Sequence, residues 1–186
     1  MKVVCGLGNP GPEYAATRHN VGWWAVDELH EAWDFPPFRR EGPILSSGGE
    51  VAGWPVLLVK PQTYMNRSGV AVAPLARLED FDVSADLLVV VDDVALEPGR
   101  LRFRPSGSSG GHNGLKSVEA ALRTLDYPRL RLGVGGAPEG EGLAAWVLAP
   151  FDSEDERRVV ELLPTVVEVV GVWVDEGNDS VSRYNR

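Results

Sequence analysis

The sequence predicts an α/β fold: a single domain, residues 1–186, in which helices cover both faces of a central sheet to give three layers, with parallel and antiparallel strand pairs in the same sheet. Three observations carry this. Short apolar runs alternate along the chain with segments of helical period. Residues 87–91 are an unbroken run of Leu and Val, which suits a central strand buried on both faces. Two neighbouring strand-like segments, 44–47 and 55–59, lie close enough in the chain to pair as a hairpin, so the sheet is mixed.

Taken in order, residues 2–7 form a buried strand closed by glycine, and Val21, Trp24, Ala25, Glu28, Leu29 and Ala32 recur at helical spacing over 21–33. Pro36-Pro37 separates that helix from the hairpin, which the pair Gly48-Gly49 interrupts before Val51 and 55–59. After Pro61, residues 68–78 read as a helix and 87–91 as the central strand. Residues 101–104 alternate, 113–125 form a strongly amphipathic helix, 130–134 another strand, and 154–174 a long final helix. The glycine-rich stretch 135–142 is expected to be a flexible surface loop. No repeat, low-complexity segment or linker interrupts the pattern. Sites in such sheets gather outside the carboxyl ends of the strands.

Composition excludes several classes. The one cysteine, Cys5, lies in the first apolar run without a partner, so the chain is not framed by disulfides and Cys5 is expected to pack in the core in a reducing compartment. The segment before Gly6 is too short for a signal peptide, and no apolar run is long enough for a bilayer span, so a soluble, cytoplasmic protein with no membrane partner is expected. The net charge of −9 argues against a polyanionic partner until its distribution is considered. Between Arg100 and Arg131 seven basic residues face two acids, whereas from Phe151 onward nine acids face four arginines, so one stretch is positive and the tail is acidic.

Four short segments concentrate the asparagines at predicted turns: Gly8-Asn9-Pro10-Gly11, Thr17-Arg18-His19-Asn20, Tyr64-Met65-Asn66-Arg67-Ser68-Gly69 and Gly110-Gly111-His112-Asn113-Gly114. Asparagine tolerates left-handed backbone and caps helices, which accounts for any one of them. It does not account for His19 and His112 each standing directly before an asparagine. A carboxamide donates and accepts at once, and a neutral imidazole takes a proton near neutral pH, so the pairing suits a site that activates water and orients a carbonyl. Asp92, at the exit of the central strand, is placed to hold and polarise His19, or simply to cap a turn.

Other chemistries fit less well. Gly6-Leu7-Gly8-Asn9-Pro10-Gly11 matches the dinucleotide-binding glycine pattern, yet no helix starts at Gly11, and the acids at the right distance, Asp27 and Glu28, fall inside a helix. The three histidines lack metal-ligand spacing with each other or with Cys5, and Gly107-Ser108-Ser109-Gly110 is not a nucleophile elbow.

The four segments, extended to Gly6–Tyr14, Thr17–Gly22, Lys60–Gly69 and Gly110–Ser117, together resemble the bacterial peptidyl-tRNA hydrolase family, in order and at family spacing, from Met1 to about Phe151. The resemblance implies hydrolysis of the ester that joins a peptide to the 3′ ribose of tRNA, by a monomer that uses no metal or organic cofactor. On the matching positions, His19 corresponds to the proton acceptor, Asp92 to the acid that stabilises and orients it, and Asn9 to the residue that separates N-blocked from free aminoacyl esters. Tyr14, Tyr64, Asn66 and Asn113 correspond to positions that hold the tRNA 3′ end and the peptide, with Met65 lining the same crevice. Arg104, Lys116 and Arg131 are the expected phosphate contacts within the basic stretch. The chain departs from the family at Ala95, where a second carboxylate is usual, and at Tyr64, where Phe is common. Two rivals stand beside this reading: a non-catalytic RNA-binding module on the same scaffold, and a nucleotide-binding enzyme using the Gly6-Gly8-Gly11 turn.

Overall fold

A computed structural model describes residues 1–185; Arg186, one of the four tail arginines, lies outside the described residues. The strands are β1 (Lys2–Gly6), β2 (Arg39–Glu41), β3 (Ile44–Val51), β4 (Trp54–Pro61), β5 (Leu87–Asp93), β6 (Leu101–Arg104) and β7 (Arg129–Gly133). They form one sheet in the order β2-β3-β4-β1-β5-β7-β6. The central pairs β4/β1, β1/β5 and β5/β7 are parallel, and β2/β3, β3/β4 and β6/β7 are antiparallel, so the sheet is mixed as the sequence predicts.

The helices are α1 (Val21–Ala32), α2 (Gly69–Val72), α3 (Val83–Asp86), α4 (Asn113–Leu122), α5 (Leu143–Val147), α6 (Ser153–Glu176) and α7 (Asn178–Val181). Alternation along the central strands divides the core between two faces. Val4, Leu88 and Val90 pack with Ala25 and Leu29 of α1 and with Val166, Val170 and Trp173 of α6. Val3, Cys5, Val89 and Val91 turn the other way, onto Leu115 and Val118 of α4 and Val72 of α2. This gives the three-layer α/β/α arrangement. Burial pushes the Cys5 thiol up to about 12, so it behaves as a packing residue.

The structure corrects three details and adds two elements. Gly48 and Gly49 lie inside β3, and the hairpin turns instead at Ala52 and Gly53, whose φ values are 51° and 79°. Gly49 is glycine because a Cβ there would run into the ring of Phe35. The expected 68–78 helix is broken: α2 gives way to a 3-10 turn at Leu75–Arg77, because Pro74 offers no N–H to continue it. The amphipathic helix expected to reach residue 125 stops at Leu122, where Arg123 adopts left-handed backbone at φ 57°. Edge strand β2, with three exposed charged residues, and the five-residue α5 carry no apolar period and were not legible as elements.

Helix α1 sits unusually close to the sheet. A Cβ at Gly22 would lie 2.5 Å from the Val90 carbonyl oxygen and 2.6 Å from that of Leu7, and a Cβ at Gly6 would strike the Gly22 backbone. This contact seats the start of α1, and with it residues 17–20, over the carboxyl ends of β1 and β5.

Candidate active site

The carboxyl ends of the parallel strands deliver most of the site. Asn9 follows β1, the turn Tyr64–Asn66 follows β4, and Asp92 is the penultimate residue of β5. His19 comes from the 3-10 turn before α1, and His112 is the N-cap of α4.

Asp92 is 2 % exposed and lies between the two imidazoles. His19 Nδ1 is 2.9 and 2.8 Å from the two carboxylate oxygens, and His112 Nε2 is 2.7 Å from Oδ1. Burial alone pushes the Asp92 carboxyl up; the charge and hydrogen bond of His112, and then those of His19, outweigh it and hold the group well below the usual carboxylate range. Asp92 is therefore an anion that only accepts, so His19 Nδ1 carries a proton and donates it. In the neutral ring, Nε2 is left with a free lone pair.

The tautomer of His112 is settled from its other side. Its Nδ1 accepts the backbone N–H groups of Gly114 at 3.1 Å and Leu115 at 3.3 Å, capping α4. The ring proton is then on Nε2, where it is donated to Asp92. The ligand atoms of His19, Asp92 and His112 lie within 4.8 Å of one another, a set that invites comparison with a metal centre. A cation at His112 Nε2 would need that proton removed while Nδ1 still faces two N–H donors, leaving an imidazolate or a broken cap. The arrangement fits a histidine base held by a buried anion better than a cation.

Asn9 is fixed with equal care. Its Oδ1 accepts the Met65 N–H at 2.7 Å, an acceptor role only the oxygen of the amide can fill. The Asn9 Nδ2 group makes no hydrogen bond to the described residues, and Asn9 lines the same cavity as His19. The backbone N–H of Asn9 donates to Asn20 Oδ1 at 2.9 Å, and its carbonyl accepts from Asn20 Nδ2 at 3.0 Å.

Two cavities meet at His19. One, of about 280 Å³, is bordered by Asp92, Asp93, Gly110, Gly111 and Arg131. The other, of about 250 Å³, is bordered by Asn9, Tyr14, Tyr64, Met65, Asn66 and Leu148. Asn113, Ala144 and Val147 border both. Tyr14 and Tyr64 stand edge to face with ring centroids 6.4 Å apart, and Tyr64, Asn66 and Asn113 are exposed. Ala144 and Val147 belong to α5, which Arg18 anchors. The Arg18 guanidinium lies 3.4 Å from the Trp146 ring centroid, and Nη1 donates to the carbonyls of Trp146, Ala149 and Pro150.

The basic stretch divides. Arg131 borders the first cavity but is tethered, donating to Ser108 O at 3.1 Å and lying 3.8 Å from Asp93. Arg104 and Lys116 are exposed, outside both cavities, and make no ion pair among the described residues. Arg129 is fully buried, tying the carbonyls of Gly107, Leu125 and Tyr127 together from beneath, so it belongs to the scaffold and not to a phosphate-binding surface. The structure thus brings His19, Asp92, Asn9, Tyr14, Tyr64, Met65, Asn66, Asn113 and Arg131 to one cleft. Residues bordering it that the sequence did not assign to it include Ala144, Val147 and His112, although the repeated His-Asn pair pointed at His112.

Comparison with known proteins identifies the family. The family model described as Peptidyl-tRNA hydrolase matches residues 3–186. A peptidyl-tRNA hydrolase of Gemmatimonas aurantiaca is 46% identical over 190 residues, covering 100% of both chains, and one of Symbiobacterium thermophilum is 48% identical over 189 residues, covering 99% of this chain and 98% of its own. The crystal structure of peptidyl-tRNA hydrolase from Acinetobacter baumannii superposes with a TM-score of 0.89 at 29% identity, over 100% of this chain and 96% of the other. The matches run past Phe151, where the motif resemblance ended, through the acidic tail, and the chain belongs to the bacterial-type peptidyl-tRNA hydrolase family.

Proposed function

We propose that the chain cleaves the ester between a peptide and the 3′ ribose of tRNA with His19 as general base, Asp92 as its orienting anion and Asn9 as the donor to the developing oxyanion. The observation that carries this assignment is the convergence of two N–H donors on one carboxylate. His112 Nε2–H and His19 Nδ1–H both point at Asp92, which leaves the His19 Nε2 lone pair as the basic atom of the pair.

His19 Nε2 takes a proton from water as the oxygen attacks the ester carbonyl, and Asp92 stabilises the imidazolium that forms. The carbonyl oxygen becomes an oxyanion beside Asn9 Nδ2, whose other end is held by Met65 and which needs no rearrangement to donate. Collapse expels the ribose 3′ oxygen, which receives the proton back from His19. Free tRNA and a peptide carboxylate leave, returning the tRNA to translation. Asn66 and Asn113, exposed at the cleft, suit the backbone of the last peptide residue, and the edge-to-face tyrosines with Met65 and Leu148 supply an apolar wall. Arg131 stands at the opposite cavity, with Arg104 and Lys116 further out to meet phosphates without regard to sequence. A monomer suffices for this chemistry, since one chain supplies every group named.

The test is release of N-acetylamino acid from N-acetylaminoacyl-tRNA, with free aminoacyl-tRNA alongside. Rapid release from the first and slow release from the second supports the reading. Binding of tRNA without release would favour the RNA-binding rival.

A further inference from the structure

We infer that Asn20 is a positioning residue for the reaction: it does not touch the substrate, but it fixes the backbone from which Asn9 presents its donor. The inference rests on the role proposed for Asn9.

Asn20 is the N-cap residue of α1, and an asparagine there normally turns its side chain onto the first N–H groups of its own helix. Here it makes no such bond. Its carboxamide instead reaches back eleven residues in the chain to Asn9, accepting that residue's N–H at 2.9 Å and donating to its carbonyl at 3.0 Å. Asn20 is 0% exposed and borders neither cavity, so it has no route to the substrate. Helix capping therefore does not explain the residue, while a two-point clamp on Asn9 does.

The clamp has a consequence for geometry. With the Asn9 backbone held on one side and its Oδ1 held by the Met65 N–H on the other, Nδ2 has little freedom left. Asn20 also follows His19 directly, and the His19 side chain is held by Asp92. One dipeptide thus sets both the base and, through Asn9, the donor, and the distance between them is built into the start of α1. Displacement of a reacting group by about an ångström can cost as much as 10²-fold in rate.

A double-mutant cycle tests this with the full chain and N-acetylaminoacyl-tRNA. Asn20→Ala in the parent should lower kcat about tenfold, with KM within about twofold and the acid limb of the pH–rate profile in place, because the His19–Asp92 pair is untouched. The preference for blocked over free esters should narrow. In the Asn9→Ala background the same substitution should change kcat by less than about twofold, since the donor it positions is gone. Asn20→Ser, whose hydroxyl is too short to span both Asn9 groups, should repeat the pattern and serves where the alanine variant does not fold. An equal factor in both backgrounds, or a shifted acid limb, would show that Asn20 acts through general packing and would overturn the inference. A parent enzyme inactive on the blocked ester would sink the proposed reaction itself, which is a separate result.

Discussion

The inner cluster of the cleft and the basic residues outside it, here the rim, are built on opposite terms. In the cluster, Asp92, Asn9 and Asn20 are buried, and their hydrogen bonds cross long stretches of chain, 73 residues from His19 to Asp92 and 56 from Asn9 to Met65. Among the basic residues, Arg104, beside the first residue of β7, and Lys116 are exposed, outside both cavities and unpaired among the described residues, whereas Arg131 at the cavity is tied down. The difference follows from what each region has to do. A proton transfer and an oxyanion contact are decided by tenths of an ångström, which only an enclosed, mutually bonded set can maintain. Attraction of a phosphate chain is decided by charge at several ångströms and survives side-chain motion. Changes in the cluster should therefore act on turnover, and changes at the rim on binding.

The largest effect is expected from His19→Ala, which removes the base: a fall in kcat of roughly 10²- to 10⁴-fold with tRNA affinity nearly intact, read by single-turnover kinetics and equilibrium binding. A comparable loss of affinity would break the division between the two regions. Asp92→Asn comes next, with a fall of roughly 10²-fold. An amide oxygen at the Oδ1 position can still accept from both histidines, but the negative charge is gone and the NH₂ group then faces the His19 Nδ1–H where Oδ2 accepted. The two changes should not multiply. If Asp92→Asn slows the His19→Ala enzyme by the factor seen in the parent, Asp92 does not act through His19.

The same contrast governs what could be read from the sequence. His19, Asp92 and Asn9 were legible because turn chemistry and strand exits place them, and both are local signals. The Asn20 clamp was not, because an asparagine before a helix reads as a cap and nothing local shows its side chain diverted. The cap role of His112 was hidden in the same way, since histidine is not among the residues expected to cap. Along Arg129–Gly133 the two arginines alternate with leucines, and the sequence gives them one face. The loop 107–109 folds over Arg129 and leaves Arg131 half-buried at the cavity, a distinction made by tertiary structure alone. Pro74, by contrast, was a visible helix breaker within 68–78, and that break was open to prediction.

At the rim, Arg104→Ala and Lys116→Ala should each raise KM for tRNA substrates a few-fold, lower the salt dependence of binding by about one unit of slope, and leave kcat unchanged. A minimal N-acylaminoacyl-nucleotide should be hydrolysed at the parental rate. Equal losses on the minimal substrate would mean that the rim reaches into the chemistry, contrary to its separation from the cluster.

The smallest effect separates the regions without any substrate. Asp92 is held well below the usual carboxylate range, burial opposing and the two histidines prevailing, so its anion is favoured in the folded chain. A depressed folded-state value contributes stability that is fully present above the unfolded carboxyl value of about 3.9 and is lost as pH falls below it toward the folded value. As pH falls below about 4 the unfolded chain takes up a proton at this position before the folded chain does, and unfolding is favoured. The melting temperature of the parent should therefore fall more steeply below that pH than that of Asp92→Asn, which has no proton to take up. Arg104→Ala and Lys116→Ala should follow the parent curve, because neither residue contacts a carboxylate among the described residues. Parallel melting curves for the parent and Asp92→Asn would show that the anion is no more favoured in the fold than in the unfolded chain, and the hydrogen-bonding direction assigned to the cluster would lose its anchor.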